Sequence, residues 1–267
     1  MHERYFNRKL YFEEQAQTTR KFVIPYIEQV KKIDADSRIL EIGCGEGGNL
    51  QPFAKLQCEC VGIDLDPHRI RIAMETFLKS PGLRLPHFIH KNIYDTTIEE
   101  IGTFDIIMLR DVIEHIPDQE KFMIFVKQFL KKDGVIFFGF PPWQMPFGGH
   151  QQISSVKWIR RAPYLHLLPM GLYTALLKTS GETQENINEF IDIKKTGISM
   201  ERFEKAVVNA GYHFKLKTPY FINPNYEVKF KLKTRKKIPL LGDIPVLRNF
   251  VTTCLYAVIG KNETEEN

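Results

Sequence analysis

Two clusters in this sequence have the residue types and spacing that chemistry needs. The first runs from Glu41 to Asn49 (Glu41-Ile42-Gly43-Cys44-Gly45-Glu46-Gly47-Gly48-Asn49), an acid followed by closely spaced glycines. Gly43, Gly45 and Gly47 lack a Cβ, so they accept positive φ and let a small molecule lie against the main chain. The helix start expected just beyond would offer free N–H groups to an anion. The same spacing satisfies G-x-G-x-x-G, the dinucleotide pattern. Glu41 separates the two ligand classes, because a carboxylate there repels a pyrophosphate and attracts an ammonium. The second cluster is Asp111-Val112-Ile113-Glu114-His115. On a helical turn Asp111 shares a face with Glu114 and His115, and His115, or His150 further on, has the chemistry of a general base.

The elements that must position these groups follow from local pattern. Residues 38–42 form an apolar run that breaks into the glycines, which predicts a buried strand, a tight turn and then a helix. A second strand, 59–63, ends at Asp64, and Asp66-Pro67 opens a helix with a capping acid and a proline in its first turn. Its expected buried stripe is Ile70, Ala73, Met74, Phe77 and Leu78. Asp64 follows Gly43 by 21 positions, where an acid accepts the hydroxyls of a bound ribose. The competing role, a helix cap, is already filled by Asp66. A third strand covers 87–93. A fourth, 104–110, is almost wholly apolar, as a strand covered on both faces should be, and it leads into Asp111. Asp118 caps a helix striped with Phe122, Phe125, Val126, Phe129 and Leu130 and ending at 131–134; a fifth strand covers 135–140. This alternation predicts right-handed βαβ units in a parallel sheet, whose ligands bind at the carboxyl ends of the strands. Glu41, Asp64, Asn92, Asp111 and Pro141 fall at those ends.

At this point the sequence resembles the class I S-adenosylmethionine-dependent methyltransferases, whose first motif is an acid-x-Gly-x-Gly-x-Gly loop, matched here by Glu41, Gly43, Gly45 and Gly47. The cofactor of that family carries an ammonium, a carboxylate and a ribose, so Glu41 gains a partner. The resemblance implies that S-adenosyl-L-methionine is held by Glu41, Gly43, Cys44, Gly45, Gly47, Asn49, Asp64, Leu65, Asn92, Ile93 and Arg110. Asn92 stands where relatives commonly place an acid on the adenine amino group, and an amide oxygen accepts the same hydrogen bond. Two branches, the ubiquinone-pathway O-methyltransferases and the small-RNA 2′-O-methyltransferases, carry E-x-x-E-H after the fourth strand and bind a divalent cation with it. Asp111 takes the place of the first glutamate, Glu114 and His115 match directly, and His150 stands where the RNA branch has a further histidine. The resemblance therefore implies Mg held by Asp111, Glu114, His115 and His150, gripping a hydroxylated acceptor. In relatives without metal the same acid and histidine brace the turn, which leaves Asp111, His115 and His150 as catalytic candidates.

Outside this core the pattern is looser. Residues 5–31 have the apolar spacing of one or two amphipathic helices. In the resembling family such a segment closes over the cofactor, which makes Tyr5 and Tyr11 candidates beside plain core packing. From 141 to 198 the alternation is lost, and an insertion after the fifth strand reads as a lid beside the site or as a surface helix packed on the core. Ser199 caps a helix, and strand-like runs at 213–221 and 251–259 fit an antiparallel hairpin. Between 215 and 237 there are eight basic residues and a single acid, Glu227. The alternation Lys229, Lys231, Lys233 would put three lysines on one face of a strand. The plain reading is a solvated edge that resists strand pairing; an anionic substrate, a peripheral membrane contact or nucleic acid are the functional ones. Residues 261–267 read as a polar tail.

Totals bound the answer. The chain has 267 residues, of which 43% are hydrophobic, enough for one substantial core. A formal net charge of +5 makes no case for nucleic acid by itself. The start lacks the apolar segment of a signal peptide, and the greasiest stretch, 164–177, is too short to span a bilayer. Four cysteines without C-x-x-C spacing suggest neither zinc nor disulfides, hence a cytoplasmic setting; Cys58, Cys60 and Cys254 read as core residues. The expected fold is α/β: a seven-stranded doubly wound, Rossmann-like domain, with a helical cover (1–36), a cofactor-binding core (38–140), a lid (141–198) and a C-terminal helix with antiparallel strands (199–260). The expected activity is S-adenosylmethionine-dependent methylation of oxygen on a small or lipid-like acceptor. The alternatives are an NAD(P)-binding oxidoreductase, a binding protein without turnover, and RNA 2′-O-methylation.

Overall fold

The computed structural model describes residues 7–262. Tyr5 and the final residues of the expected tail lie outside them. Eight strands make one sheet: β1 (Arg38–Ile42), β2 (Glu59–Asp64), β3 (His87–His90), β4 (Phe104–Arg110), β5 (Leu130–Phe140), β6 (Tyr212–Ile222), β7 (Arg235–Lys236) and β8 (Cys254–Lys261), in the order β3-β2-β1-β4-β5-β8-β6-β7. β1 to β5 are parallel; β8 inserts antiparallel between β5 and β6. The expected count of seven is exceeded by β7, a two-residue edge paired with Tyr220 and Ile222 of β6.

Alternation along each central strand divides the core into two layers. Ile136, Phe138 and Phe140 of β5 join one, with Leu40 and Ile42 of β1, and Val135 and Phe137 join the other, with Ile39. The longer helices are α1 (Arg8–Thr18), α2 (Pro67–Leu78), α3 (Gln119–Val126), α4 (Met170–Thr179), α5 (Gln184–Thr196), α6 (Met200–Asn209) and α7 (Pro224–Phe230). α1 continues through a widened turn, Thr19–Val23, into Ile24–Ile27. The widening precedes Pro25, which cannot donate the hydrogen bond an unbroken α-helix requires. On α2 the core takes Ile70, Ala73 and Phe77, whereas Met74 and Leu78 are 43% and 73% exposed, so the buried stripe is narrower than its spacing implied.

Three further differences have local causes. The helix after the glycines is only Gln51–Lys55, because Gly48 to Leu50 are spent in the turn. β5 starts at Leu130 rather than 135, since α3 gives way to a single tighter turn, Lys127–Phe129. Lys229, Lys231 and Lys233 do not share a strand face: Asn223 caps α7 with its side chain and Pro224 occupies the first turn, so Lys229 is helical and Lys231 leaves the helix with φ +60°. The last strand runs from Cys254 to Lys261, so Lys261 belongs to the sheet and not to a tail.

The insertion, residues 141–198, builds a small core of its own from Ile159, Tyr173, Leu177, Ile187 and Phe190. Its polar anchor is Glu182, which accepts hydrogen bonds from the hydroxyls of Ser154 and Ser155, the Thr183 N–H and Asn186 Nδ2.

Candidate active site

β1 and β4 are neighbours at the point where strand order reverses, so the loops that follow them part and leave a crevice. The glycine loop forms one wall. Gly43, Gly45 and Gly47 have φ of +72°, +53° and +80°, and the Gly43 and Cys44 N–H groups both donate to the Ile63 carbonyl, at 2.8 and 3.1 Å. Asp64 closes the tip of β2 onto this loop: Oδ2 accepts from the Gly45 N–H at 2.7 Å and Oδ1 from the Asp66 N–H at 2.9 Å.

Beneath the loop lies a buried polar chain. Glu41 is 0% exposed, and its Oε1 accepts from Asn49 Nδ2 at 2.7 Å. The amide oxygen of Asn49 in turn accepts from Arg110 Nη1 at 2.6 Å and from the Thr19 hydroxyl at 3.0 Å. Burial pushes the Glu41 carboxyl up to about 8, against the Asn49 hydrogen bond and the Arg110 charge, and Asp64 adds to the rise. Its second oxygen, Oε2, is buried with no hydrogen-bond partner. A buried acceptor in that state costs about 1–3 kcal/mol, and a cationic ligand relieves it. The polar cradle therefore fits an ammonium-bearing molecule.

The cover over this wall is α1. A Cβ on Gly48 would stand 2.6 Å from Gln15 Oε1 and 2.8 Å from the Phe12 carbonyl oxygen. Arg8 reaches Glu46 of the loop at 3.5 Å, and Phe12 packs edge-on against Phe77 of α2, with ring centroids 6.1 Å apart. Gln15 Oε1 is a second buried oxygen without a partner.

The other wall follows β4. Asp111 has φ +56°, which turns the chain at once, and only one tight turn, Ile113–His115, follows. Glu114 is buried, with both carboxylate oxygens unpartnered; burial pushes its carboxyl well up, and Asp111 pushes it further. One ligand atom each of Glu114, His115 and His150 lie within 4.8 Å of one another. The two imidazoles meet edge to face, with centroids 4.7 Å apart. His150 Nδ1 lies 3.3 Å from Glu189 Oε1 of α5. The packing around His115 holds it down to about 4, with burial first and His150 second, against the pull of Glu189, although one edge of the residue stays open to solvent. That edge faces a cleft of about 540 Å³ lined by Pro117, Glu189, Asp192, Ile193 and Arg202.

A family model described as a methyltransferase domain matches residues 12–168. The chain belongs to this methyltransferase family. The match decides between the two readings that the glycine loop left open, and it bears out the resemblance to the class I S-adenosylmethionine-dependent methyltransferases. The ubiquinone biosynthesis O-methyltransferase of Pasteurella multocida is 29% identical over 181 residues, which cover 57% of this chain and 72% of that protein. The ubiquinone biosynthesis O-methyltransferase of Xanthomonas axonopodis pv. citri is 29% identical over 103 residues, 39% of this chain and 42% of the relative, so the chain spans less than half of that protein's length. Among solved structures, an S-adenosylmethionine-dependent methyltransferase from Clostridium acetobutylicum shares the fold, with a TM-score of 0.55 at 13% identity over 94% of this chain and 92% of that one.

Within this methyltransferase fold, the sequence-predicted residues separate into groups. Glu41, Gly43, Gly45, Gly47, Asn49, Asp64 and Arg110 converge on one wall. The Cys44 side chain is buried against Gly62, which leaves only its backbone at the turn. Leu65 is 68% exposed at the β2 tip, Ile93 is buried, and Asn92 spends one lone pair on the Tyr94 N–H. Glu114, His115 and His150 come together on the other wall. Asp111 does not join that cluster, because its positive φ and the single turn after it replace the helix that would have aligned the three positions. Gln15 and Glu189 were not identified from sequence. Each is a polar residue on a helix with no motif around it, and only tertiary packing brings it to the site.

Proposed function

We propose that this chain transfers a methyl group from S-adenosylmethionine to a hydroxyl of a small or lipid-like acceptor. The single observation that carries this reading is Glu41 Oε2, buried and unpartnered below a glycine loop. Bound S-adenosylmethionine supplies a methyl on a sulfonium, already activated for in-line displacement. Glu41 holds the ammonium, Asp64 accepts the ribose hydroxyls through the lone pairs its two backbone hydrogen bonds leave over, and Leu65 and Asn92 flank the adenine. The protein contributes mainly orientation and exclusion of water. Residues 141–198 serve as the lid on the acceptor side, a role supported by the His150 ring of the insertion packed against His115 of the β4 wall.

Glu114, His115 and His150 hold a divalent cation in this reading. A buried carboxylate with neither oxygen partnered beside two imidazoles is a donor set for one. With a single carboxylate among the three, the set suits Mn, Fe or Zn better than the Mg of the sequence expectation. Glu189 orients His150 through Nδ1, the usual support of a metal-bound imidazole. A bound cation supplies a grip on the acceptor oxygen and lowers the pKa of its hydroxyl. The four buried, unpaired cysteines support a reducing, cytoplasmic setting, and no helix of the described residues is long and apolar enough to cross a membrane.

The test is methyl transfer from labelled S-adenosylmethionine to components of a metabolite extract, with and without chelator. Labelled product with release of S-adenosylhomocysteine supports the reading. No product from any fraction contradicts it, and turnover indifferent to chelator and to Glu114→Gln removes the cation.

A further inference from the structure

The excursion between β6 and β8 carries features that methyl transfer does not use. Its sequence repeats itself: Ile238-Pro239-Leu240-Leu241 is followed by Ile244-Pro245-Val246-Leu247. Each copy makes the same tight turn. Leu240 and Val246 both have φ +68°, and the Leu241 and Leu247 N–H groups donate back to the Pro239 and Pro245 carbonyls at 2.9 and 2.8 Å. Such turns are rare and strained for residues with a Cβ, most of all a β-branched one. Aliphatic side chains at and around the two turns are exposed: Leu240 is 82% exposed, Val246 56%, and Leu241, Ile244 and Leu247 between 44% and 48%. Glu201 fixes the second turn by accepting from the Val246 N–H, Arg248 Nε and Asn249 Nδ2.

Just before this apolar tip the chain carries charge of one sign, with no acid between 231 and 237. Lys231, Lys233, Arg235 and Lys236 are exposed and form no ion pair among the described residues. The nearby acids are neutralised, Glu227 by Lys21 and Asp243 by Lys237. Topology sets the direction. Tyr220 near the end of β6 pairs with Cys254 at the start of β8, and Leu255 pairs with Phe140 at the end of β5. The excursion therefore leaves the sheet at the carboxyl ends of the parallel strands, the edge that carries the glycine loop and Asp111.

We propose that residues 231–247 dock this protein on an anionic lipid bilayer, with Leu240, Leu241, Ile244, Val246 and Leu247 in the acyl boundary and Lys231, Lys233, Arg235 and Lys236 among the headgroups. Exposed aliphatics close in the chain to exposed cations that have no ion pair among the described residues match the two forces that hold interfacial proteins. A protein partner would more often be met by aromatic anchors around a pocket. Docking goes beyond the methyl-transfer reading and stands without it, because vesicle binding requires no turnover. It would turn the catalytic edge toward the membrane.

The experiment is co-sedimentation of the full chain with vesicles of phosphatidylcholine alone or mixed with phosphatidylglycerol. The expected result is binding to the mixed vesicles that weakens with salt. Leu240→Asp with Val246→Asp should reduce it by at least about tenfold, and Arg235→Gln with Lys236→Gln by about thirtyfold, with the circular dichroism melt of each variant confirming that it folds. Absence of binding to the mixed vesicles, or binding undiminished in the folded aliphatic variant, overturns the proposal. So does a lipid-free dimer in sedimentation velocity that the aliphatic variant dissolves, since the tip would then be an interface between copies.

Discussion

Asn49 Nδ2 donates to Glu41 Oε1 at 2.7 Å, which satisfies one oxygen of a fully buried carboxyl and leaves the other without a partner. Proton linkage follows from this. The folded protein keeps the Glu41 proton up to a pKa of about 8, whereas an unfolded glutamate loses it at the ordinary value of 4.5. Between those values the native state binds the extra proton, so stability falls as pH rises through that window. Without ligand, Glu41→Gln should match the parent below pH 4.5 and exceed it above pH 8, by on the order of a few kcal/mol. Urea unfolding at the two pH extremes measures it.

The contact of α1 with the glycine loop yields a second expectation. Gly48→Ala would place a Cβ 2.8 Å from the Phe12 carbonyl oxygen, and a helix backbone cannot swing aside as a side chain does. We expect a loss of about 1–3 kcal/mol, the usual scale for an overfilled site, and faster amide exchange across α1. Unchanged exchange in α1 would mean that the cover is looser than its packing indicates.

The insertion has its own acid-sensitive anchor. Burial alone would raise the Glu182 carboxyl, yet hydrogen bonds from Ser154, Ser155, Asn186 and the Thr183 N–H outweigh it and hold the pKa down to about 2. A depressed carboxylate stabilises the fold above its unfolded value, and that contribution fades as pH falls from the ordinary value of 4.5 toward 2. Glu182→Ala should cost about 1–3 kcal/mol at neutral pH and flatten the acid limb of the stability profile. Limited proteolysis should then cut within 141–198 first.

Much of the core was legible because its signals are local. Glu41, the glycines and Asp64 sit on strand ends and turns that short stretches determine, and the structure places them as their spacing implied. The second wall was legible only as composition. D-x-x-E-H predicts one helical face, but the +56° φ at Asp111 breaks it, while His150 reaches His115 from a distant loop through the packing of the insertion. Lys229 to Lys233 alternate like a strand, yet the Asn223-Pro224 cap two turns upstream committed them to a helix and its exit. Glu189 left no trace, since an acid on the polar side of a helix looks the same whether it meets water or a histidine.

Titration calorimetry of S-adenosylmethionine into the protein and into Glu41→Gln, in buffers of different ionisation enthalpy, tests the central claim most directly. The parent should bind and, at neutral pH, release a proton as Glu41 ionises against the ammonium. Glu41→Gln should bind at least about tenfold more weakly, as loss of a charged hydrogen bond predicts, and release none. Equal affinity for the two proteins, or no binding by the folded parent, would contradict it.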